Sequence, residues 1–255
     1  MSKKRLRDSF HGKDGSANSR SCSNDTKKAP AKRIKPTTSR MIFLPCEIIT
    51  RIFILSSNPH LPVVCRNLMH MLYKCSETVK VEWLLHRHNQ NIFEAFEEGL
   101  RFPFFDIQLL THFDRLYQQR TLEQNIPFTN KTIPRHLFSQ TDTSLALQLL
   151  SRGGSPNKPQ GYPLVKSAQL GRTDMVKCLI AHGADPMVRS NMALRVCAAR
   201  NNRELVCYFL DELHVKPDSK TLEACVQKGL WDMVKILVDH GAVPDMSTIN
   251  FTLTL

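Results

Sequence analysis

The sequence predicts an all-α protein in which two short amphipathic helices lead into a stack of helical repeats, preceded by a basic arm. Three observations support this fold class: apolar residues recur at helical spacing around residue 50, a thirty-residue pattern repeats in the second half, and positive charge is concentrated in the first forty residues. The chain has 255 residues, of which 42% are apolar, so it can bury a substantial core. No stretch approaches the ~20 uninterrupted apolar residues of a membrane span, and no secretory signal is apparent.

Residues 1–40 form the basic arm, with 12 Lys and Arg against three Asp, a net +9 of the chain's +12. A segment so poor in large apolar side chains cannot bury enough surface to fold, so we expect it to be disordered. Its short basic clusters favour recognition by a nuclear import receptor and therefore a nuclear or nucleocytoplasmic location. A nucleic-acid anchor is a weaker alternative because no aromatic residue interleaves the clusters. The candidate import residues are Lys3, Lys4, Arg5, Lys27, Lys28, Lys32, Arg33 and Lys35.

The first folded module is predicted at residues 41–75. Pro45 is placed to begin a helix, and the apolar residues after it recur at helical spacing on one face. Ser56-Ser57-Asn58-Pro59 ends that helix, and Leu61-Pro62 begins a second one. The pattern therefore predicts two short helices around a proline-rich turn.

This module resembles the F-box family in Leu44-Pro45-x-Glu47-Ile48-Ile49, in the following Ile52-Phe53, and in Leu61 and Val64-Cys65-Arg66. The resemblance implies binding to the Skp-type adaptor of a cullin-based ubiquitin ligase through exposed apolar side chains. The implied adaptor-binding residues are Leu44, Pro45, Ile48, Ile49, Ile52, Phe53 and Leu61. The alternative is that these side chains form only the core of an ordinary helical pair.

Residues 76–130 are predicted to be a helical connector that contains a degenerate repeat. Phe102, Phe104, Phe105 and Phe113 are more consistent with a core than with a ligand pocket. The connector would join the first module to the repeats.

Residues 131–255 contain the repeats. In three copies an acidic residue, Asp174, Glu204 or Asp232, begins a helix and an apolar face follows. A glycine usually ends the helix, and a proline closes each unit; the closing prolines are Pro156, Pro186, Pro217 and Pro244. Such units cannot bury their apolar faces alone, so neighbours must stack. The eleven residues after Pro244 are most simply the beginning of a further repeat, which leaves the last one incomplete.

These units resemble ankyrin repeats, most closely in Tyr162-Pro163-Leu164 and Gly183-Ala184-Asp185-Pro186. Two copies depart from the pattern, because Asn201 replaces the short-loop glycine and residues 213–217 lack the terminal one. The resemblance implies that a target protein binds the concave face formed by turn tips and first helices. The candidate target-binding residues are Met187, Arg189, Asn191, Arg195, Arg200, Asp218 and Lys220.

The sequence shows no motif of an enzyme or of a metal site. It lacks a phosphate-binding glycine loop, Gly-x-Ser-x-Gly and His-Glu-x-x-His, and its eight cysteines include no Cys-x-x-Cys pair. We therefore expect no catalysis, no cofactor and no metal. The leading hypothesis is a substrate-recognition subunit of a Skp–cullin–F-box ligase, which tethers a target near the conjugating enzyme. The alternative is a nuclear ankyrin scaffold with no link to a ligase.

Overall fold

The computed structural model describes residues 43–121 and 123–253, without the side chains of residues 251–253. Within these residues the chain forms thirteen α-helices and no strand, which confirms the predicted all-α helical solenoid. The N-terminal helices are α1 (Cys46–Ser56), α2 (Arg66–Tyr73), α3 (Glu77–Arg87), α4 (Ile92–Gly99) and α5 (Ile107–Arg120). The repeat helices are α6 (Ser144–Ser151), α7 (Tyr162–Leu170), α8 (Thr173–Ala181), α9 (Val188–Ala199), α10 (Arg203–Cys207), α11 (Ser219–Gln227), α12 (Trp231–Asp239) and α13 (Met246–Leu253).

The first module begins as the sequence predicts and then departs from it. Pro45 caps α1, and Ser57 ends the helix in a left-handed conformation. The predicted second helix does not start at Leu61, because residues 61–63 form only a 3₁₀ turn and α2 begins at Arg66. The N-cap of α2 is Cys65, whose sulfur accepts a hydrogen bond from the backbone N–H of Leu68 at 3.5 Å. The paired helices are therefore α1 and a later, shorter α2.

Aromatic side chains form the core of the connector. Phe105 and Phe113 are buried, and both rings pack against the ring of Phe96 with centroids 5.8 and 6.0 Å apart. Phe102 and Phe104 are only half-buried and pack edge-on against Trp83. All four predicted core phenylalanines thus pack against buried aromatic rings.

An ion pair joins the connector to the first repeat. Arg152, at the end of α6, donates two hydrogen bonds to the carboxylate of Asp114 on α5, at 2.8 and 2.6 Å. The side chains are only 12% and 14% exposed. Two parallel hydrogen bonds between a guanidinium and a carboxylate fix the angle as well as the distance between the elements that carry them. The pair therefore orients the repeats relative to the connector.

The repeats stack through their first helices, since α7 contacts α9 and α9 contacts α11, while α8, α10 and α12 each pack behind their own first helix. The core of the stack includes two cysteines from adjacent first helices. Burial raises the pKa of the Cys197 thiol to about 12 and that of Cys225 to about 11. Both thiols are therefore neutral packing groups at physiological pH.

The copies that depart from the repeat pattern keep its backbone shape with other residues. Asn201 has φ +57°, beside +70° at Gly171 and +65° at Gly229 in the equivalent loops. His214, with φ +50°, stands where Gly183 ends the preceding unit with φ +86°. Asn accepts the left-handed region at low cost, whereas at His214 the chain first widens into a π turn at Tyr208–Glu212. The missing glycines are therefore compensated within the same fold.

Polar side chains tie successive repeats together at the turns. The amide of Asn157 donates to the carbonyl of Gly183 at 2.9 Å, and its oxygen accepts from the N–H of Asp185 at 2.8 Å. The tie holds two adjacent turns in register, so the turn tips form a row along the stack.

His240 makes a similar tie between the end of α12 and the π turn that follows α10. One ring nitrogen of His240 lies 2.8 Å from the carbonyl of Ile236 and the other 2.8 Å from the carboxylate of Asp211. Both acceptors favour the doubly protonated ring. The carbonyl of Ile236 is the larger cause and Asp211 the next, and together they raise the pKa of His240.

Candidate protein-binding surfaces

Helix α1 has one side in the core and one side on the surface. Ile49 and Phe53, one turn apart, are fully buried, and the ring of Phe53 stacks on that of Trp83 with centroids 4.9 Å apart. Leu44, which precedes the helix, and Ile48, in its first turn, are 39% and 48% exposed. The packing of α1 on α3 therefore leaves an apolar surface along the helix.

The structure divides the seven predicted adaptor-binding residues into three groups. Leu44, Pro45 and Ile48 are exposed, and Ile52 and Leu61 are half-buried. Ile49 and Phe53 are assigned to the core, because a side chain with almost no exposed surface cannot contact a partner in this conformation. The helical spacing could not separate these groups, since it placed Ile48 and Ile49 on the same broad face.

Six more apolar side chains of this module are exposed and were not among the predicted contacts; two of them, Met69 and Tyr73, lie on α2. Phe43 and Leu55 lie at the two ends of α1, and Val63 and Val64 lie in the turn before α2. Leu55 could have been recognised from its position, since it lies seven residues after Ile48 and therefore on the same side of the helix. We define the α1 surface as the exposed or half-buried side chains Phe43, Leu44, Pro45, Ile48, Ile52, Leu55, Val63 and Val64.

The predicted target-binding residues gather at the turn before α9, on α9 itself and at the start of α11. Met187 is 56% exposed, and the three residues Arg189–Asn191 all adopt positive φ. The guanidinium of Arg189 donates to the side-chain oxygen of Gln160 in the preceding turn, and the amide of Asn191 donates to the carbonyl of Lys216 in the next at 2.8 Å. The left-handed run was not predictable from the sequence, because Arg and Ser seldom adopt it.

Two of these residues are engaged with each other. Arg195 donates to the carboxylate of Asp218 at 2.9 Å, and the two side chains are 22% and 26% exposed. Burial acts to raise the pKa of Asp218, but hydrogen bonds from Thr221 and the charge of Arg195 outweigh it, so the pKa lies below its usual value. The pair therefore connects α9 to the start of α11. The remaining charged residues of the predicted set, Arg189, Arg200 and Lys220, are exposed and have no carboxylate partner among the described residues.

One aromatic residue of the described repeats is exposed and was not among the predicted contacts. Trp231, the first residue of α12, is 55% exposed and lines a groove with Asn201, Gly229 and Asp232. A helical pattern assigns a tryptophan to the core, so only the structure identifies this one as a surface residue.

The predicted nuclear import residues lie outside the described residues. Within the described ranges no three His, Cys, Asp or Glu side chains gather in a way that could hold a metal ion. In the same ranges no helix combines the length and the hydropathy needed to cross a membrane.

Two segments of the chain match known families. Residues 162–191, which include α7, α8 and the turn that begins α9, match the ankyrin repeat, and residues 43–73 match the YDR249C N-terminal domain. No curated protein matches the chain, and neither does any solved structure. The helical stack with an ankyrin repeat in it places the chain in the class of repeat proteins that bind other proteins. The family matched over α1 and α2 is not the F-box, so the F-box resemblance rests on the residues quoted above.

Proposed function

We propose that this chain is a non-catalytic substrate-recognition subunit of a Skp–cullin–F-box ubiquitin ligase that acts in the nucleus. The α1 surface would bind the Skp-type adaptor, and the repeats would bind the target protein. The observation that carries the proposal is the two-sided packing of α1. Its inner side is held by Trp83, while Leu44 and Ile48 remain exposed at the positions where the F-box resemblance requires adaptor contacts.

The size of the α1 surface suits a protein contact. A few desolvated apolar anchors supply most of the binding energy in many interfaces, with about 2 kcal/mol or more from each hot-spot residue. Isolated exposed apolar residues are common on protein surfaces, but the α1 surface has six large exposed ones within one short segment of the chain, which favours a partner. Arg51, in the middle of α1, pairs with Glu82 of α3 at 3.1 Å, which directs its charge towards the connector and away from that patch.

The proposal is tested by co-elution of the purified chain with a purified Skp-type adaptor on a sizing column. We expect a one-to-one complex, and we expect Leu44→Ala/Ile48→Ala to abolish it. The matched control is Leu147→Ala/Val238→Ala, which removes two apolar side chains from the repeats that are 37% and 48% exposed. A folded wild-type chain that does not bind the adaptor, or equal binding by the two double variants, would refute the adaptor contact.

A second candidate function is an ankyrin scaffold without a link to a ligase. It is favoured by the family match of residues 43–73, which is to the YDR249C N-terminal domain. In that case α1 and α2 would cap the connector, and the adaptor would not co-elute with a chain that still binds proteins through its repeats.

A further inference from the structure

The two layers of the repeat stack carry opposite net charge. We define the inner face as the first helices with the turns before them, residues 157–170, 185–200 and 216–228. It contains eight Lys and Arg against three acidic residues. We define the outer helices as α8, α10 with its π turn, and α12. They contain three Lys and Arg against six acidic residues. The stack is therefore positively charged on the side where the target is expected to bind.

The acidic residues of the inner face are already engaged. Asp218 pairs with Arg195, Glu223 accepts from the amide of Gln227 at 3.0 Å, and Asp185 accepts from the N–H of Met187 at 2.9 Å. Six exposed basic side chains on this face have no carboxylate within ion-pair distance among the described residues. They are Lys158, Arg189, Arg200, Lys216, Lys220 and Lys228.

Five of these six charges form two clusters at opposite ends of the first helices, and the sixth, Lys158, lies in the turn before α7. At the turns, the bond from Asn191 to the carbonyl of Lys216 holds the turn of Arg189 beside the turn that carries Lys216 and leads to Lys220. At the other end, the ammonium of Lys228 donates to the carbonyl of Ala199 at 2.7 Å, which holds it beside the turn of Arg200. The clusters are about 12 Å apart, from a rise of 1.5 Å per residue over the helical part of α9.

Exposed apolar side chains lie beside both clusters. Met187 is 56% exposed next to the turn cluster, and Leu170, at the position on α7 equivalent to Arg200, is 40% exposed. A partner that satisfies this face therefore needs both carboxylates and apolar side chains. Two carboxylates on an extended segment reach both clusters when they are about four residues apart, at 3.3 Å per residue.

We propose that the target segment bound by the inner face is an acidic stretch of protein that presents carboxylates and apolar side chains on the same side. Complementary charge would steer the encounter and select the partner, and the apolar contacts would slow its release. A single-stranded nucleic acid fits the face less well, because stacking needs exposed aromatic rings. The one aromatic residue of the inner face, Tyr162, is half-buried, with the guanidinium of Arg135 5.1 Å from its ring centre.

This inference rests on the target-binding half of the proposed function and is independent of its adaptor-binding half. If the chain binds no adaptor but binds acidic segments, the ligase proposal fails and this inference stands. If the chain binds the adaptor but no acidic segment, this inference fails and the adaptor contact stands.

The test uses the full chain and a fluorescent synthetic peptide of Glu, Asp and Leu, in which carboxylates four residues apart flank a Leu on the same side of the extended chain. Binding is followed by anisotropy. The inner-face variant is Arg200→Glu/Lys220→Glu, which reverses one charge in each cluster. The matched control is Lys177→Glu/Lys235→Glu on the outer helices, which makes the same change in net charge at exposed positions. The basic arm is present in both, so its contribution cancels. Circular dichroism checks that both variants fold, and Arg200→Gln/Lys220→Gln replaces the first variant should it unfold.

We expect the inner-face variant to weaken binding about tenfold or more and the control to change it by less than about twofold. We also expect the same peptide with Gln and Asn in place of Glu and Asp to bind at least about tenfold more weakly. No measurable binding by the wild-type chain, or equal losses in the two variants, would overturn the proposal. So would tighter binding of a single-stranded oligonucleotide with the same loss in the inner-face variant, because the face would then be a nucleic-acid surface.

Discussion

Neighbouring isoleucines on α1 provide a direct test of how this helix packs. The structure buries Ile49 completely and leaves Ile48 48% exposed, although the two differ by one position in sequence. We compare Ile48→Ala with Ile49→Ala, which remove the same atoms from the same helix. Any difference in stability between the two variants therefore reports the orientation of α1.

The expected magnitudes follow from burial. Truncation of a fully buried Ile to Ala costs about 2–5 kcal/mol in free energy of unfolding. Complete burial of such a side chain is worth about 1.5–3 kcal/mol. The half-exposed Ile48 therefore contributes about 1 kcal/mol, and the higher helix propensity of Ala offsets part of that loss. In a chain of this size the melting temperature falls by about 2–4 °C per kcal/mol. We expect a loss above about 4 °C for Ile49→Ala and below about 4 °C for Ile48→Ala.

Thermal and urea unfolding, followed by tryptophan fluorescence and circular dichroism, measure both variants. Trp83 stacks on Phe53, one turn from Ile49, so its fluorescence reports this region. Equal losses in the two variants, or a larger loss in Ile48→Ala, would mean that α1 is rotated. The α1 surface, and with it the proposed adaptor contact, would then be wrong.

Three further predictions concern the joints of the stack. Asp114→Asn leaves the buried guanidinium of Arg152 without its carboxylate and should lower the free energy of unfolding by about 3–5 kcal/mol in urea titrations. A loss below about 1 kcal/mol would mean that this ion pair does not hold the connector to the first repeat. Because the pKa of His240 is raised, the stability that its two bonds contribute is fully present below pH about 6.5 and is lost as the pH rises through the folded pKa. His240→Gln should therefore lower the free energy of unfolding more at pH about 5.5 than at pH about 8.5. An equal loss at both pH values would contradict this. Gly161→Ala adds strain at φ +67° and places a methyl group 2.6 Å from a side-chain carbon of Val188, so it should destabilise the chain by about 2–4 kcal/mol. Gly183→Ala adds only the strain at φ +86°, because the space around it is open, and should cost about 1–2 kcal/mol. A larger loss for Gly183→Ala would exclude the close contact at Gly161.

The all-α fold was predictable because the residues at the start and end of each repeat helix are those that favour helix termini. An acidic residue, an apolar stripe and a closing Gly-x-x-Pro recur at nearly constant spacing, and each of these features has a local cause in helix capping. Local causes do not determine the departures. That Asn201 and His214 would take the left-handed glycine positions, or that α2 would begin only at Arg66, depends on packing between units rather than on the residues themselves.

The candidate surfaces were harder to predict than the fold. Spacing identifies the apolar residues of α1, but only the contact with Trp83 decides that Phe53 is buried and Ile48 is not. In the repeats, Arg195 and Asp218 were predicted as separate contacts with the target, yet the structure pairs them with each other. A sequence does not show which charges neutralise one another across 23 residues, and the unpaired basic residues of the inner face emerge only once the pairs are known.

The central claim is that one chain holds two partners on two separate surfaces. Its most direct test is a set of dissociation constants, for a Skp-type adaptor and for the acidic peptide, measured on the wild-type chain and on two variants. We predict that Ile48→Glu weakens adaptor binding about a hundredfold and leaves peptide binding within about twofold. Arg200→Glu/Lys220→Glu should weaken peptide binding about tenfold or more and leave adaptor binding within about twofold. A wild-type chain that binds no adaptor, or variants that weaken both partners equally, would contradict the account.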